Sequence, residues 1–378
     1  MRTRTLKPLL VLALGLMLAG VSLTGQAPAP PPALSPVFPG QDWERIARPE
    51  DAGYSPARLA ALKGWLESID TTAMVASVGG RILFEYGDTT HLSYLASVRK
   101  SVLAILYGKY VENGTIRLDR TLKDLEFTDV DGLLPRELEA RIEHLITARS
   151  GVYHPASNAG DSTASAPPRE SQAPGTYYLY NNWDFNAAGA VFETLVGREI
   201  YDVVDTDLAG PIGMQDFDRK AQRKSGNPKR SQHMAYHMWY STRDMARIGL
   251  LMLRGGAWMG RQVVSREWVR RITSLVTPMN EMNPPGYRAL GTGLRWGYGY
   301  MWWVWDAPNS PGPFKGAFTG MGAGGQYITV LPELDMVVAH KTDTQQVSAH
   351  GDGKRRRSVT GGEYDVTLRM LIQSRTGR

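Results

Sequence analysis

Strand-like runs stand at both ends of this chain and helical patterns fill the stretch between, which narrows the possible folds sharply. Residues 72–78 (TAMVASV) and 81–86 (RILFEY) are joined by Gly79-Gly80, a pair that admits the positive φ values of a tight hairpin turn. Toward the other end, 298–305, 326–330 and 336–340 read as strands, the last two linked by the turn sequence 331–335 (LPELD). Strands joined by short turns pair antiparallel. Between them the periodicity predicts helices over 97–113, 136–148, 183–196, 242–254 and 265–274. A last helix over 363–373 places Tyr364, Leu368, Leu371 and Ile372 on one face. The expectation is an α+β fold: an antiparallel sheet drawn from both termini, flanked by helices, with an all-helical insertion. The sheet part covers roughly 42–95 and 295–375, the helical part roughly 100–290. No internal repeat or second linker divides residues 42–375, so they read as one unit with a cleft between sheet and insertion.

The first residues carry a targeting pattern. Arg2, Arg4 and Lys7 precede an apolar run, 9–19, that is short for a bilayer span and is followed by small and polar residues. Residues 1–26 therefore read as a secretory signal, or as a short uncleaved anchor, and predict an exported protein, periplasmic or extracellular. Residues 27–41, rich in proline, read as an extended linker. The net charge of +6 owes half its excess to those three leader cations. The cluster 354–357 (KRRR) is short and reads as a solvated loop, so a nucleic-acid partner is not expected. There is no cysteine, which excludes disulfides, thiol catalysis and thiolate metal sites.

One tetrad can supply a nucleophile. Ser97-Val98-Arg99-Lys100 heads an apolar helical run, so Lys100 projects beside the Ser97 hydroxyl one turn away. A serine hydroxyl needs a base, and a lysine serves only where burial or neighbouring cations make its amine neutral. The helix N-terminus adds N–H groups for an oxyanion. Alone the motif is weak, since an N-capping serine followed by a solvated lysine has the same sequence. It has company in Tyr180-Asn181-Asn182, a loop just ahead of a helix. There a phenol could shuttle a proton while Asn182 holds the substrate's carbonyl side; a tyrosine corner with an Asx turn is the plainer alternative.

With these segments in view the chain resembles the class C β-lactamase and penicillin-binding-protein-like serine hydrolases. GGRILFEYGD, SVRKS, NGTIRLDRTL, LITARSGVYH, YNNWDFNAAG, STRDMARIGLLMLRGGAW and GAGGQYITVLPELDMVVAH follow one another in the family's order. The resemblance implies the β-lactamase/transpeptidase-like fold, catalytic roles for Ser97, Lys100 and Tyr180, and substrate contact by Asn182. The family's third element, Lys-Thr-Gly or His-Thr-Gly on the cleft strand, is altered. Its place falls on Phe318-Thr319-Gly320, with Met321 N–H as oxyanion donor, or on Gly320-Met321-Gly322, with Ala323 N–H; the downstream GQYITVLPE favours the second. In both registers the cation is missing, and Lys315 is out of register. That weakens the case for lactam or D-alanyl-D-alanine substrates and favours esters or amides.

The expectation is thus a serine hydrolase of ester or amide bonds, working through a Ser97 acyl-enzyme without metal or organic cofactor. A β-lactamase or D-alanyl-D-alanine carboxypeptidase is the alternative within enzymes, and a silent penicillin-binding-like recognition protein the alternative outside them. Gly320, Gly322 and Ala323 join Asn182 as expected substrate-binding positions. Trp183, Trp239, Trp302 and Trp303 are candidates to wall an acyl pocket, most of them more naturally core. His233 and His237 have helical i, i+4 spacing but lack a third ligand. No Gly-x-Ser-x-Gly elbow is present.

Overall fold

A computed structural model describes residues 35–288, 293–348 and 353–376. The expected leader and residues 27–34 of the expected linker lie outside the described residues. Residues 35–41 lie against the body: Val37 N–H donates to Gly79 O at 2.9 Å, and Gly40 O accepts from the buried Arg247 at 2.8 Å.

The chain opens with α1 (Pro56–Ser68), whose start is set by Ser55 as N-cap and Pro56 at the first helical position. The hairpin β1 (Ala73–Val78) and β2 (Arg81–Gly87) follows, then the short β3 (Ser93–Tyr94) and α2 (Val98–Glu112). The middle holds α3 (Ile142–Ile146), α4 (Asn182–Val196), α5 (Ile200–Val203), α6 (Gly210–Ile212), β4 (Arg223–Ser225), β5 (Ala235–His237), β6 (Trp239–Tyr240) and α7 (Thr242–Leu253). Then come β7 (Ala257–Trp258), β8 (Arg261–Gln262) and α8 (Arg266–Ile272). The chain closes with β9 (Trp296–Tyr298), β10 (Trp303–Trp305), β11 (Phe318–Gly322), β12 (Gln326–Leu331), β13 (Met336–Lys341) and α9 (Gly361–Gln373).

The seven-stranded sheet runs β2-β1-β13-β12-β11-β10-β9, and every neighbouring pair in it is antiparallel. Early and late chain meet at β1 and β13, from Ala73 opposite Lys341 to Val78 opposite Met336. Alternation along β12 explains the layers. Ile328 meets α7 at Gly249, while Tyr327 on the other face stacks on Tyr364 of α9, ring centroids 3.7 Å apart. Helices α1 and α9 are tied by Trp65 Nε1–H to Thr367 Oγ1 at 3.0 Å. The sheet thus lies between α1 and α9 on one side and α7 with the helical region on the other. This is the expected α+β, β-lactamase/transpeptidase-like architecture.

Two expected elements are broken. The helix over 136–148 is a 3₁₀ turn, Glu137–Glu139, then α3, with Ala140 and Arg141 extended between them. Thr121 bridges Arg141 and Leu122 N–H takes Ala140 O at 2.8 Å, so tertiary pairing overrides local propensity. The strand over 298–305 is the two strands β9 and β10, folded back through Met301 at φ 59°.

Candidate active site

The segment from β3 into α2 places Ser97. Ala96 is held at φ 48°, a costly conformation for a residue with a side chain, and the turn presents Ser97 half-buried at the head of α2. Ser97 is in the helical region at φ −77° and its side chain makes no capping bond. Lys100, one turn on, is buried at 1% exposure. The capping-serine and solvated-lysine alternative is therefore ruled out by geometry.

Lys100 Nζ lies 3.0 Å from Ser97 Oγ, 2.7 Å from Tyr180 OH and 2.8 Å from Asn182 Oδ1. Burial pushes the Lys100 ammonium well below its usual value of 10.5, Arg99 pushes the same way, and Asp161 opposes them. The three oxygens also bear on the proton count. A neutral amine has two N–H bonds and one lone pair, and Asn182 Oδ1 can only accept. One N–H goes to Asn182, so in the neutral form the lone pair accepts from Ser97 or Tyr180 while the second N–H serves the other. That is the arrangement of a base.

Tyr180 stands just before α4, its ring set among Phe185, Trp303 and Tyr298 at centroid distances of 5.0, 5.8 and 6.0 Å. Asn181 caps α4 by accepting from Asp184 N–H at 2.8 Å. Beneath this start Asp184 is wholly buried, accepts from Ser150 Oγ at 2.5 Å, and burial raises its carboxyl well above 3.8. Sequence reasoning missed Asp184. Asn182, expected to contact substrate, accepts from Lys100 on its carbonyl and donates an amide N–H to Ala159 O at 3.0 Å. The Asn182 carbonyl thus helps to orient the lysine.

The third wall is β11. Gly320 packs on α2, where a Cβ would stand 3.0 Å from Ser101 Oγ. At Gly322 a Cβ would stand 2.5 Å from Leu95 O and 3.1 Å from Ser97 N. The end of β11 thus abuts the Ser97 turn, and Ala323 beyond it is exposed. Among the described residues no carbonyl takes the Ser97 N–H. Beyond Thr319, which pairs with Trp303, the β10 side of this strand carries no ladder partner among the described residues. Lys315 pairs with Glu333 at 3.2 Å, away from this edge.

Other candidates fall elsewhere. Trp183 and Trp302 are fully buried and Trp303 nearly so, whereas Trp239 is half-exposed. His237 lies on β5, so it shares no helix with His233, and no group of three potential ligands gathers for a metal among the described residues. His154 is buried, with Nε2 2.7 Å from Val130 O. Asp244 accepts from Gln215 and Asp216 N–H at 2.7 and 3.0 Å near the start of α7.

The sequence matches the family model "Beta-lactamase" over residues 66–360. The chain belongs to the beta-lactamase family of serine hydrolases. An uncharacterised protein of Alkalihalophilus pseudofirmus is 22% identical over 266 residues, 65% of this chain and 71% of its own. Among solved structures, the "Putative 6-aminohexanoate-dimer hydrolase" of Bacillus anthracis is similar at a TM-score of 0.61 with 19% identity, covering 90% of this chain and 87% of that one. A family VIII carboxylesterase is similar at 0.57 with 13% identity, over 85% and 97%. These likenesses show the fold.

Proposed function

We propose that this protein hydrolyses an ester or amide by two-step acyl transfer on Ser97. The observation that carries the reading is the Lys100 amine, buried and within hydrogen-bonding reach of both the Ser97 hydroxyl and the Tyr180 phenol. Ser97 Oγ attacks the carbonyl carbon as its proton passes to Lys100, coupled to Tyr180. The oxyanion lies between the Ser97 N–H and the backbone N–H of Ala323, the register that the close approach of Gly322 to Ser97 N supports. Collapse expels the leaving group with a proton from Tyr180. Water, deprotonated by the same pair, then attacks the acyl carbon and frees Ser97. No metal or organic cofactor enters these steps.

The missing cation on β11 favours esters and amides over lactams, and kinship with carboxylesterase and amide-hydrolase folds supports that choice. Export, through the leader, is part of the same proposal. The test is labelling by a fluorophosphonate with turnover of p-nitrophenyl butyrate and nitrocefin. The ester should be the better substrate, and Ser97→Ala should abolish both labelling and turnover. Labelling that persists in Ser97→Ala moves the nucleophile elsewhere. Preferred turnover of nitrocefin makes the protein a lactamase, and one-to-one acylation without turnover makes it a recognition protein.

A further inference from the structure

Beside the Ser97 turn lies a shelf that the acyl-transfer machinery does not use. Three residues before Ser97, Tyr94 is 39% exposed and belongs to β3, which pairs with β6 so that Tyr94 stands opposite Trp239. Its hydroxyl lies within hydrogen-bonding distance of His237 Nδ1, at 2.9 Å. The rings of Tyr94 and Trp239 are 5.5 Å apart, and those of Tyr94 and His237 5.3 Å apart. Over the indole, Arg223 of β4 lays its guanidinium 3.7 Å from the ring centroid. Arg223 is exposed, opposite His237 in the β4–β5 pair, and bonded only to Ala221 O at 3.1 Å. Among the described residues no carboxylate pairs with it. A stacked guanidinium keeps its N–H edges free for a planar acceptor.

The local field has one sign. Burial, followed by the positive charges of Arg99 and Arg223, pushes the His237 imidazole down to about 4. His237 is neutral at pH 7. In the tautomer whose Nδ1 accepts from Tyr94, Nε2 carries the proton and is a second donor, with no partner among the described residues. Tyr94 stands three residues before Ser97, so the shelf adjoins the Ser97 turn along the chain.

We propose that Tyr94, His237, Trp239 and Arg223 form a subsite for a planar carboxylate-bearing part of the substrate, such as a benzoate or other conjugated acid. This deepens the hydrolase reading and rests on it. The carboxylate takes the Arg223 fork and His237 Nε2–H, and the flat part lies along the exposed aromatic edges. The cation absent from β11 thus has a counterpart on a different wall, which suits an acid fixed farther from the scissile carbonyl than the family's third motif would hold it.

The test compares paired substrates. Mono-4-nitrophenyl terephthalate and its methyl ester place the charge on the acyl side; 4-acetoxybenzoate and its methyl ester place it on the leaving side. In the wild type one acid should exceed its ester in kcat/KM by about tenfold, carried by KM, as a partly exposed charge-assisted contact supplies. In Arg223→Gln the ratio should collapse toward one, and Arg223→Lys should restore part of it. Equal kcat/KM within both pairs, in a wild type that turns over the neutral esters, overturns the subsite and leaves the hydrolase intact. If no ester is turned over, benzoate binding followed by tryptophan fluorescence still decides: saturable binding weakened about tenfold in Arg223→Gln supports the subsite, and no binding at millimolar benzoate overturns it.

Discussion

The closest packing in the site is at Gly322, and it makes a graded test possible. A Cβ there would stand 2.5 Å from Leu95 O, 2.9 Å from Gln326 Cβ and 3.1 Å from Ser97 N. A carbon–oxygen contact settles near 3.3 Å, so Gly322→Ala must open a gap of about 0.8 Å between β11 and the Ser97 turn. Leu95 O and Ser97 N are backbone, so β11 itself must move. Overpacking of this kind costs about 1–3 kcal/mol of stability. The functional effect should be larger. Moving one oxyanion donor by nearly an ångström relative to the other costs about 10²-fold in rate. Two controls calibrate the series. Gly320→Ala meets Ser101 Oγ at 3.0 Å, a side-chain atom that can rotate, and should lose about threefold to tenfold by the same reasoning. Gly64→Ala lies within α1 with nothing inside 4 Å and should stabilise by about 0.5–1 kcal/mol. The assays are kcat/KM on p-nitrophenyl acetate and thermal unfolding of each variant. Wild-type activity in a Gly322→Ala protein of reduced stability would refute the oxyanion geometry. Wild-type values of both would refute the packing argument itself.

Tyr180→Phe should lower kcat by about 10²–10⁴, the range of a lost proton relay, with KM changed far less; stopped-flow burst kinetics on a p-nitrophenyl ester will show whether acylation is the slowed step. Because burial and Arg99 lower the Lys100 pKa, acylation should rise with pH to a plateau whose midpoint lies well below 10.5, and a midpoint near 10.5 would contradict a buried neutral base. Lys341, buried on β13, donates at 2.6 Å to both Ser93 O of β3 and Tyr240 O of β6, and burial lowers its pKa to about 7. Between about 7 and 10.5 the unfolded chain binds the proton that the folded one has released, so this lysine contributes stability that rises with pH. In Lys341→Met that slope should vanish from unfolding curves over this window, and stability at pH 7 should fall by about 2–4 kcal/mol as two buried carbonyls lose their donor.

What was legible in the sequence follows from how local the determining forces are. The β1–β2 hairpin, α2, α4, α7 and α9 are set by turn glycines and apolar spacing, and each lies within two residues of its expected bounds. Ser97, Lys100 and Tyr180 come together as expected because Ser97 and Lys100 share the start of α2 and Tyr180 stands just before the start of α4. The errors arise where distant chain decides. The expected helix over 136–148 is cut down to α3 by the strand-like bridge of Arg141 with Thr121. β11 offered no alternation to read because of its glycines, and only the family resemblance placed the cleft strand there; at Gly322 the Ser97 turn leaves no room for a side chain. α1 was overlooked although Ser55-Pro56 is a helix-start signal. Lys341 and the Arg223 shelf gave no local sign, since a lysine aimed at two remote carbonyls and an arginine laid on an indole depend wholly on tertiary placement.

The pairing of β1 with β13 has a consequence for synthesis. A ribosome that has released Ser97, Lys100 and Tyr180 has not yet made β11, β12 or β13, so the nascent chain holds the proposed reacting groups and lacks the strand wall beside them. Its early hairpin must wait, one edge bare, for strands some 260 residues downstream. Such late closure makes for slow folding and long exposure of unpaired backbone. A chain of this topology completes its sheet only when its last strands arrive, and truncation before residue 318 would leave the Ser97 turn without the β11 wall beside it.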